Sequence, residues 1–306
     1  MPSPKSAFPI AAFSLAAALV LIALPGCGDR EVAGKTREIR VGAGEGSLAP
    51  RLHVPGDRAP VLSWLEPAGE GHALRFARFV KGGFSEPLTA AAGEDWFANW
   101  ADTPSVIALP DGRLAAHWLA KSGPGTYSYD IRLAYSDDRG ATWSDPATPH
   151  TDETKTEHGF ARLFPDEGKL GAVWLDGRRT AEGGPMTLRY GRLDGRGRLR
   201  AARELDERVC DCCMTGMAKT SAGLLVVYRD RAEGEIRDIY RVLRTEDGWT
   251  GPLPVHRDGW EIPGCPVNGP AVAADGDRVA VAWFTAAGNH PTVKLAFSRD
   301  GGDTFE

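Results

Sequence analysis

Long apolar runs are scarce in this sequence, and the most prominent, Ala11 to Leu24, is short. A membrane-spanning helix needs about 20 such residues, so no transmembrane domain is expected. Charge of one sign is not in excess either: 36 Lys and Arg face 41 Asp and Glu, for a net charge of −5. That balance, with none of the usual binding motifs, excludes a nucleic-acid partner. No block of like charges stands out, and no long amphipathic helical stretch is evident. Cysteine is sparse, with five residues. Glycine (37) and proline (22) are abundant. A turn-rich chain with short alternating apolar segments reads as all-β.

The N-terminus carries Lys5, the apolar run and a small-residue site ending at Cys27, which reads as an export signal. "LPGC" resembles a bacterial lipobox, whose cysteine is acylated after cleavage. The resemblance implies a signal peptide over 1–26, and an acylated Cys27 with a polar tether over 27–47. It also implies a membrane-anchored location at the periplasmic face or outer membrane.

Five segments share one shape: "PVLSWLE", "LAAHWLA", "LGAVWLD", "LLVVYRD" and "VAVAWFT". Their anchors, Trp64, Trp118, Trp174, Tyr228 and Trp283, are spaced 54, 56, 54 and 55 residues apart. A period of this length, with several short strands per unit, predicts propeller blades over 48–306 rather than a helical solenoid.

Two further segments carry a family resemblance. "SDDRGATW" (Ser136, Asp138, Gly140, Thr142, Trp143) and "SRDGGDTF" (Ser298, Asp300, Gly302, Thr304, Phe305) match S-x-D-x-G-x-T-W/F. This is the Asp-box of the bacterial neuraminidase repeat, and the chain resembles sialidase-like β-propellers. The boxes are read as structural: the Asp ties down the turn, Gly permits positive φ, and the aromatic packs between strands. The family usually has six four-stranded blades, so the five visible here predict a missing C-terminal blade. A five-bladed ring closed by the N-terminal strand is the alternative.

In such a blade the loops entering the innermost strand share one face with those joining its second and third strands. That face gathers "EDWFANWADTPS", "DETKTEHGF", "RVCDCCMTG" and "EIPGCPVNGP". Cys210 lies eighteen residues before Tyr228, and Cys265 eighteen before Trp283. With Cys27 set aside, four cysteines in an oxidising compartment suggest disulfides, a Cys210–Cys265 bridge being the first choice. Cys212 and Cys213 then stay unassigned. A soft-metal site from Cys210, Cys212, Cys213 and Cys265 is the alternative; otherwise no cofactor is expected.

Arg178, Arg179, Arg229 and Arg231, with Asp230, suggest recognition of a glycan or another anionic ligand, unless they pair with neighbouring acids. Trp96, Trp100, His158 and Asn268 share the mouth and join them as candidate contacts. The resemblance implies a sialidase-like exo-acting glycoside hydrolase, and Asp95 or Asp102 is the acid/base candidate. The chain departs from that equipment: Ala49 occupies the first arginine's position, and no final-blade nucleophilic Tyr is found. Activity is therefore left open beside a non-catalytic binding or assembly module and a periplasmic metal-binding protein.

Overall fold

The computed structural model describes residues 36–56 and 59–306. Cys27 and the export segment lie outside them. Residues Ile39–Glu306 form one compact unit. Among the described residues no helix is long and apolar enough to cross a membrane.

The unit is all-β and contains five antiparallel sheets in chain order. The first holds β1 (Leu48–His53), β2 (Val61–Ala68), β3 (Gly71–Val80), β4 (Gly83–Phe84) and β5 (Leu88–Gly93). The second has β6 (Ser105–Ala108), β7 (Leu114–Lys121) and β8 (Tyr129–Ser136). The third has β9 (His158–Asp166), β10 (Lys169–Asp176), β11 (Thr187–Leu193) and β12 (Leu199–Asp206). The fourth has β13 (Gly216–Lys219), β14 (Leu224–Arg229), β15 (Ile239–Thr245), β16 (Gly248–Trp249) and β17 (Leu253–His256). The fifth has β18 (Ala271–Asp275), β19 (Arg278–Thr285) and β20 (Thr292–Ser298).

All five repeat anchors lie on the second strand of their sheets, and each is 5% exposed or less. The period was therefore a true structural repeat. Four apolar clusters each bridge two consecutive sheets: Val61 and Leu65 meet Val106 and Leu114, for example, and Leu225 and Val227 meet Val279 and Val281. The three inner sheets thus bury both faces against chain neighbours and the first and fifth one face each, Val293, Leu295 and Phe297 of the fifth being exposed.

Four strands per unit is not uniform. The second sheet has three, and its fourth position is an isolated Leu133–Ala147 bridge. The fifth also has three, followed by a backbone exchange of two hydrogen bonds between Phe297 and Glu306.

The two S-x-D-x-G-x-T turns fold alike. Asp138 Oδ1 accepts from Thr142 N–H (2.8 Å) and Ser136 Oγ–H (2.8 Å), while Gly140 N–H donates to Ser136 Oγ (2.7 Å). Asp300 repeats this with Thr304 and Ser298, and Gly302 matches Gly140. Gly140 has φ +94°, and a Cβ there would lie 2.3 Å from the Phe76 ring. Trp143 meets Phe76 edge-on at 5.9 Å, joining the first two sheets.

Candidate functional site

Buried polar groups gather on the loops entering β6 and β9, at the ends of β8, β9, β10 and β14, and in the β14–β15 connection. Asn99 Oδ1 accepts the Ala101 and Asp102 N–H groups (2.8 and 2.7 Å), turning Asp102 inward. Asp102 is completely buried. Its Oδ2 accepts the Phe160 N–H at 2.7 Å and lies 3.4 Å from the Tyr129 hydroxyl. The Tyr129 hydroxyl instead donates to Glu157 Oε1 at 2.6 Å. Burial pushes the Asp102 carboxyl up to about 7, against the Phe160 bond and the Arg162 charge. Glu157 is half-buried and rises to about 7 as well: burial dominates, the Tyr129 bond opposes it, and the charges of Asp102 and Asp211 add to it.

Beside this pair the His150 and His158 rings stack at 3.8 Å. His158 Nε2 is 3.1 Å from Asp152, and its Nδ1 is 3.4 Å from Asp130. Burial disfavours the charged ring, yet bonds to Asp130 and Asp152 and the nearby Asp176 push His158 up to about 9. The imidazolium supplies the cation these carboxylates require. Arg178 completes the group through Asp176 (2.6 Å) and Asp152 (3.3 Å). Asp176 also accepts the Trp174 indole N–H at 2.8 Å. The anchor tryptophan and the charge cluster are thereby joined.

Cys210, Cys212 and Cys213 occupy the loop between β12 and β13, and Cys265 the loop between β17 and β18. Cys210 and Cys213 are buried, Cys212 is half-buried and Cys265 is exposed. All four are free, which corrects the expected Cys210–Cys265 bridge. Cys210 instead turns toward its own loop: its Sγ is 3.1 Å from Cys213 Sγ and 4.0 Å from Cys212 Sγ. Arg237 Nη1 donates to Cys210 Sγ at 3.2 Å. The neighbouring sulfurs, aided by Arg237, hold the Cys210 thiol well below its usual value. A cavity of about 390 Å³ opens alongside, lined by Asp211, Arg231, Glu235, Arg237 and Cys265 among others.

The expected arginines are brought to this region, but each is already engaged. Arg229 is 1% exposed. It donates to the carbonyls of Asn268 (2.9 Å), Arg237 (2.5 Å) and Phe284 (2.8 Å) and lies over the Trp260 ring. Arg231 pairs with Glu235 (2.9 Å) and Asp211 (3.3 Å), and Arg179 with Glu204 (3.0 Å). Arg229 is thus a structural clamp rather than a ligand contact, because no part of it faces solvent. Asn268 takes part through its backbone, and its side chain bonds Pro266 O at 2.7 Å.

Asp230 is buried, and burial followed by the charge of Asp206 pushes it up to about 7. Trp96 stacks on Trp118 at 5.6 Å and so belongs to the packing, whereas Trp100 is 73% exposed. Asp95 is exposed. Of the two acid/base candidates, Asp102 has no surface with which to meet a substrate. The sequence pattern singled out neither Tyr129, Glu157 nor Asp211. Glu157 stood in the quoted "DETKTEHGF" beside His158, but a loop spacing does not tell which acid faces outward.

No family model matches this sequence, and no curated protein matches it. Among solved structures, it is similar to an α-L-arabinofuranosidase from Lactobacillus brevis (14% identity, 84% of this chain and 94% of that one, TM-score 0.49). It is similar also to a thermostable family-43 glycoside hydrolase (14%, 84% and 91%, TM-score 0.46). A levansucrase mutant from B. megaterium is a third (11%, 85% and 83%, TM-score 0.48).

Proposed function

We propose that the five sheets are blades of a sialidase-like propeller and that its mouth binds and hydrolyses a glycan, with Glu157 as proton donor. One observation carries the reading: Glu157 is a half-buried carboxyl titrating near 7, oriented by Tyr129 and close enough to the cavity-lining Asp211 to feel its charge. A carboxyl titrating near 7 keeps a proton for a leaving glycosidic oxygen at the pH where it is needed. Glu157 replaces Asp102 in that role, and Asp102 becomes a positioning residue behind Tyr129. Asp211, whose charge acts on Glu157, supplies a second carboxyl. Arg231 and Arg237 already hold Glu235, so a carboxylate-bearing sugar would have to displace it. A neutral glycan meets no such competition.

The test is turnover of a panel of aryl glycosides and polysaccharides by the full chain. Glu157→Gln is expected to lower kcat on the order of 100-fold or more with KM little changed. Equal rates for both proteins would overturn the assignment. Exposed Trp100 favours a second reading, non-catalytic binding, for which stacking on a sugar ring suffices. Glycan binding without turnover, lost in Trp100→Ala, would select it.

Export and anchoring through Cys27 are part of the same proposal and rest on the "LPGC" segment. Fatty-acid labelling of the expressed protein, abolished by Cys27→Ser, is the expected result.

A further inference from the structure

We propose that Cys210, Cys212 and Cys213 form a binding site for a soft d10 metal ion, Cu(I) or Zn(II), with Cys265 at its open side. The proposal does not depend on the glycan reading, although Asp211 and the same cavity border both sites.

The geometry comes first. The three Sγ atoms all lie within 4.8 Å of one another. Sulfurs bound to one ion at about 2.3 Å stand roughly 3.8 Å apart, so the loop reaches a coordinating arrangement with small adjustments. The donor set is sulfur alone, which favours thiophilic ions and disfavours Mg²⁺, Ca²⁺ and Mn²⁺. A disulfide within the trio leaves one buried or half-buried thiol that only Cys265 could pair, whereas one ion engages all three at once.

The surroundings hold that arrangement in place. Cys210 N–H donates to Arg229 O at 3.0 Å, fixing the start of the loop to the end of β14. Arg229 in turn grips Asn268 O, which brings the Cys265 loop over the cluster. Gly269 permits this approach: a Cβ there would stand 1.9 Å from Met214 O. Three thiolates around a monovalent or divalent ion carry net negative charge. Arg237 Nη1, 3.2 Å from Cys210 Sγ, and the buried Arg229 guanidinium offset it. Half-buried Cys212 and exposed Cys265 leave a path from the 390 Å³ cavity that Cys265 helps to line.

The number of sulfurs separates the two ions. Three suffice for trigonal Cu(I), whereas a closed tetrahedral Zn(II) site takes four, with Cys265 as the fourth.

The full chain, with its thiols reduced under anaerobic conditions, is titrated with Cu(I) or Zn(II) against a competing chelator, and bound metal is measured. One ion per chain is expected. Cys212→Ser, the substitution of the least buried member of the trio, should weaken binding by about tenfold or more. Its thermal melt checks folding. Cys265→Ser should weaken Zn(II) binding and leave Cu(I) binding intact. A reduced wild-type chain that retains neither ion would overturn the site. So would binding that persists undiminished in a folded variant lacking all three cysteines.

Discussion

Asp102 Oδ2 accepts the backbone N–H of Phe160 at 2.7 Å, joining residues 58 positions apart. Phe160 has φ +54°, an uncommon conformation for a bulky residue, and the bond holds it there. Asp102→Ala leaves a buried N–H without a partner. The expected cost is about 2–4 kcal/mol in urea unfolding. Asp102→Asn keeps an acceptor of the same size and should cost clearly less. Equal losses would mean that the carboxylate does not restrain Phe160.

Stability should fall as pH rises from about 5 to 9. Burial raises Asp102, Glu157 and Asp230 to about 7 from ordinary values near 4, and carboxylate partners raise His158 to about 9 from 6.5. Each group holds its proton in the folded chain after the unfolded chain has released it. Their contribution is therefore complete below the unfolded pKa and disappears as pH climbs through the folded one. An opposite set offsets part of this: burial holds His117 down to about 3, so its contribution is complete above about 6.5 and shrinks as pH falls below that, against the four raised groups. Hydrogen bonds from Arg231 and Arg237 hold Glu235 down to about 2, so its contribution disappears as pH falls below about 4. Calorimetry should give a higher Tm at pH 5 than at pH 9, and a flat or rising profile would contradict the buried protonated carboxyls.

Architecture and site were legible to different depths. The 55-residue period was readable because each anchor is an aromatic residue on a buried second strand, and a repeated packing problem selects a repeated residue type. Convergence of the Cys loop with the Cys265 loop was readable for the same reason. The partner choice was not, since a spacing of eighteen residues fixes a register but not the direction of a sulfur. Cys210 turned toward Cys213, three residues away. Arg229 looked like a ligand contact because the sequence shows charge and not what surrounds it. Asp102 and Glu157 were indistinguishable in kind, and only the fold buries one and leaves the other half-open.

Gly159 marks where backbone approaches the carboxyl pair. A Cβ there would stand 2.1 Å from Asp102 Oδ2 and 2.8 Å from the Tyr129 ring and hydroxyl. Both neighbours are buried and bonded, so neither can yield cheaply. Gly159→Ala is expected to destabilise the chain by about 1–3 kcal/mol and to displace Tyr129 from Glu157. Gly83→Ala, where nothing lies within 4 Å, is the matched control and should change stability by about 0.5 kcal/mol or less. If the two behave alike in thermal melts, the tight contact is not real.

Arg229 separates a structural from a recognition role most directly. Its guanidinium donates to three carbonyls from three segments, Asn268, Arg237 and Phe284, and lies 5.0 Å from the Trp260 ring. Lysine keeps the charge but loses the planar fork that reaches all three acceptors. Arg229→Lys should therefore cost about 2–4 kcal/mol, because at least one buried carbonyl loses its donor. Below its melting temperature the variant should bind glycan with unchanged Kd, since the side chain never reaches the cavity. It should also loosen the Cys265 loop, seen as faster alkylation of Cys212. A weakened Kd with unchanged Tm would return Arg229 to the ligand.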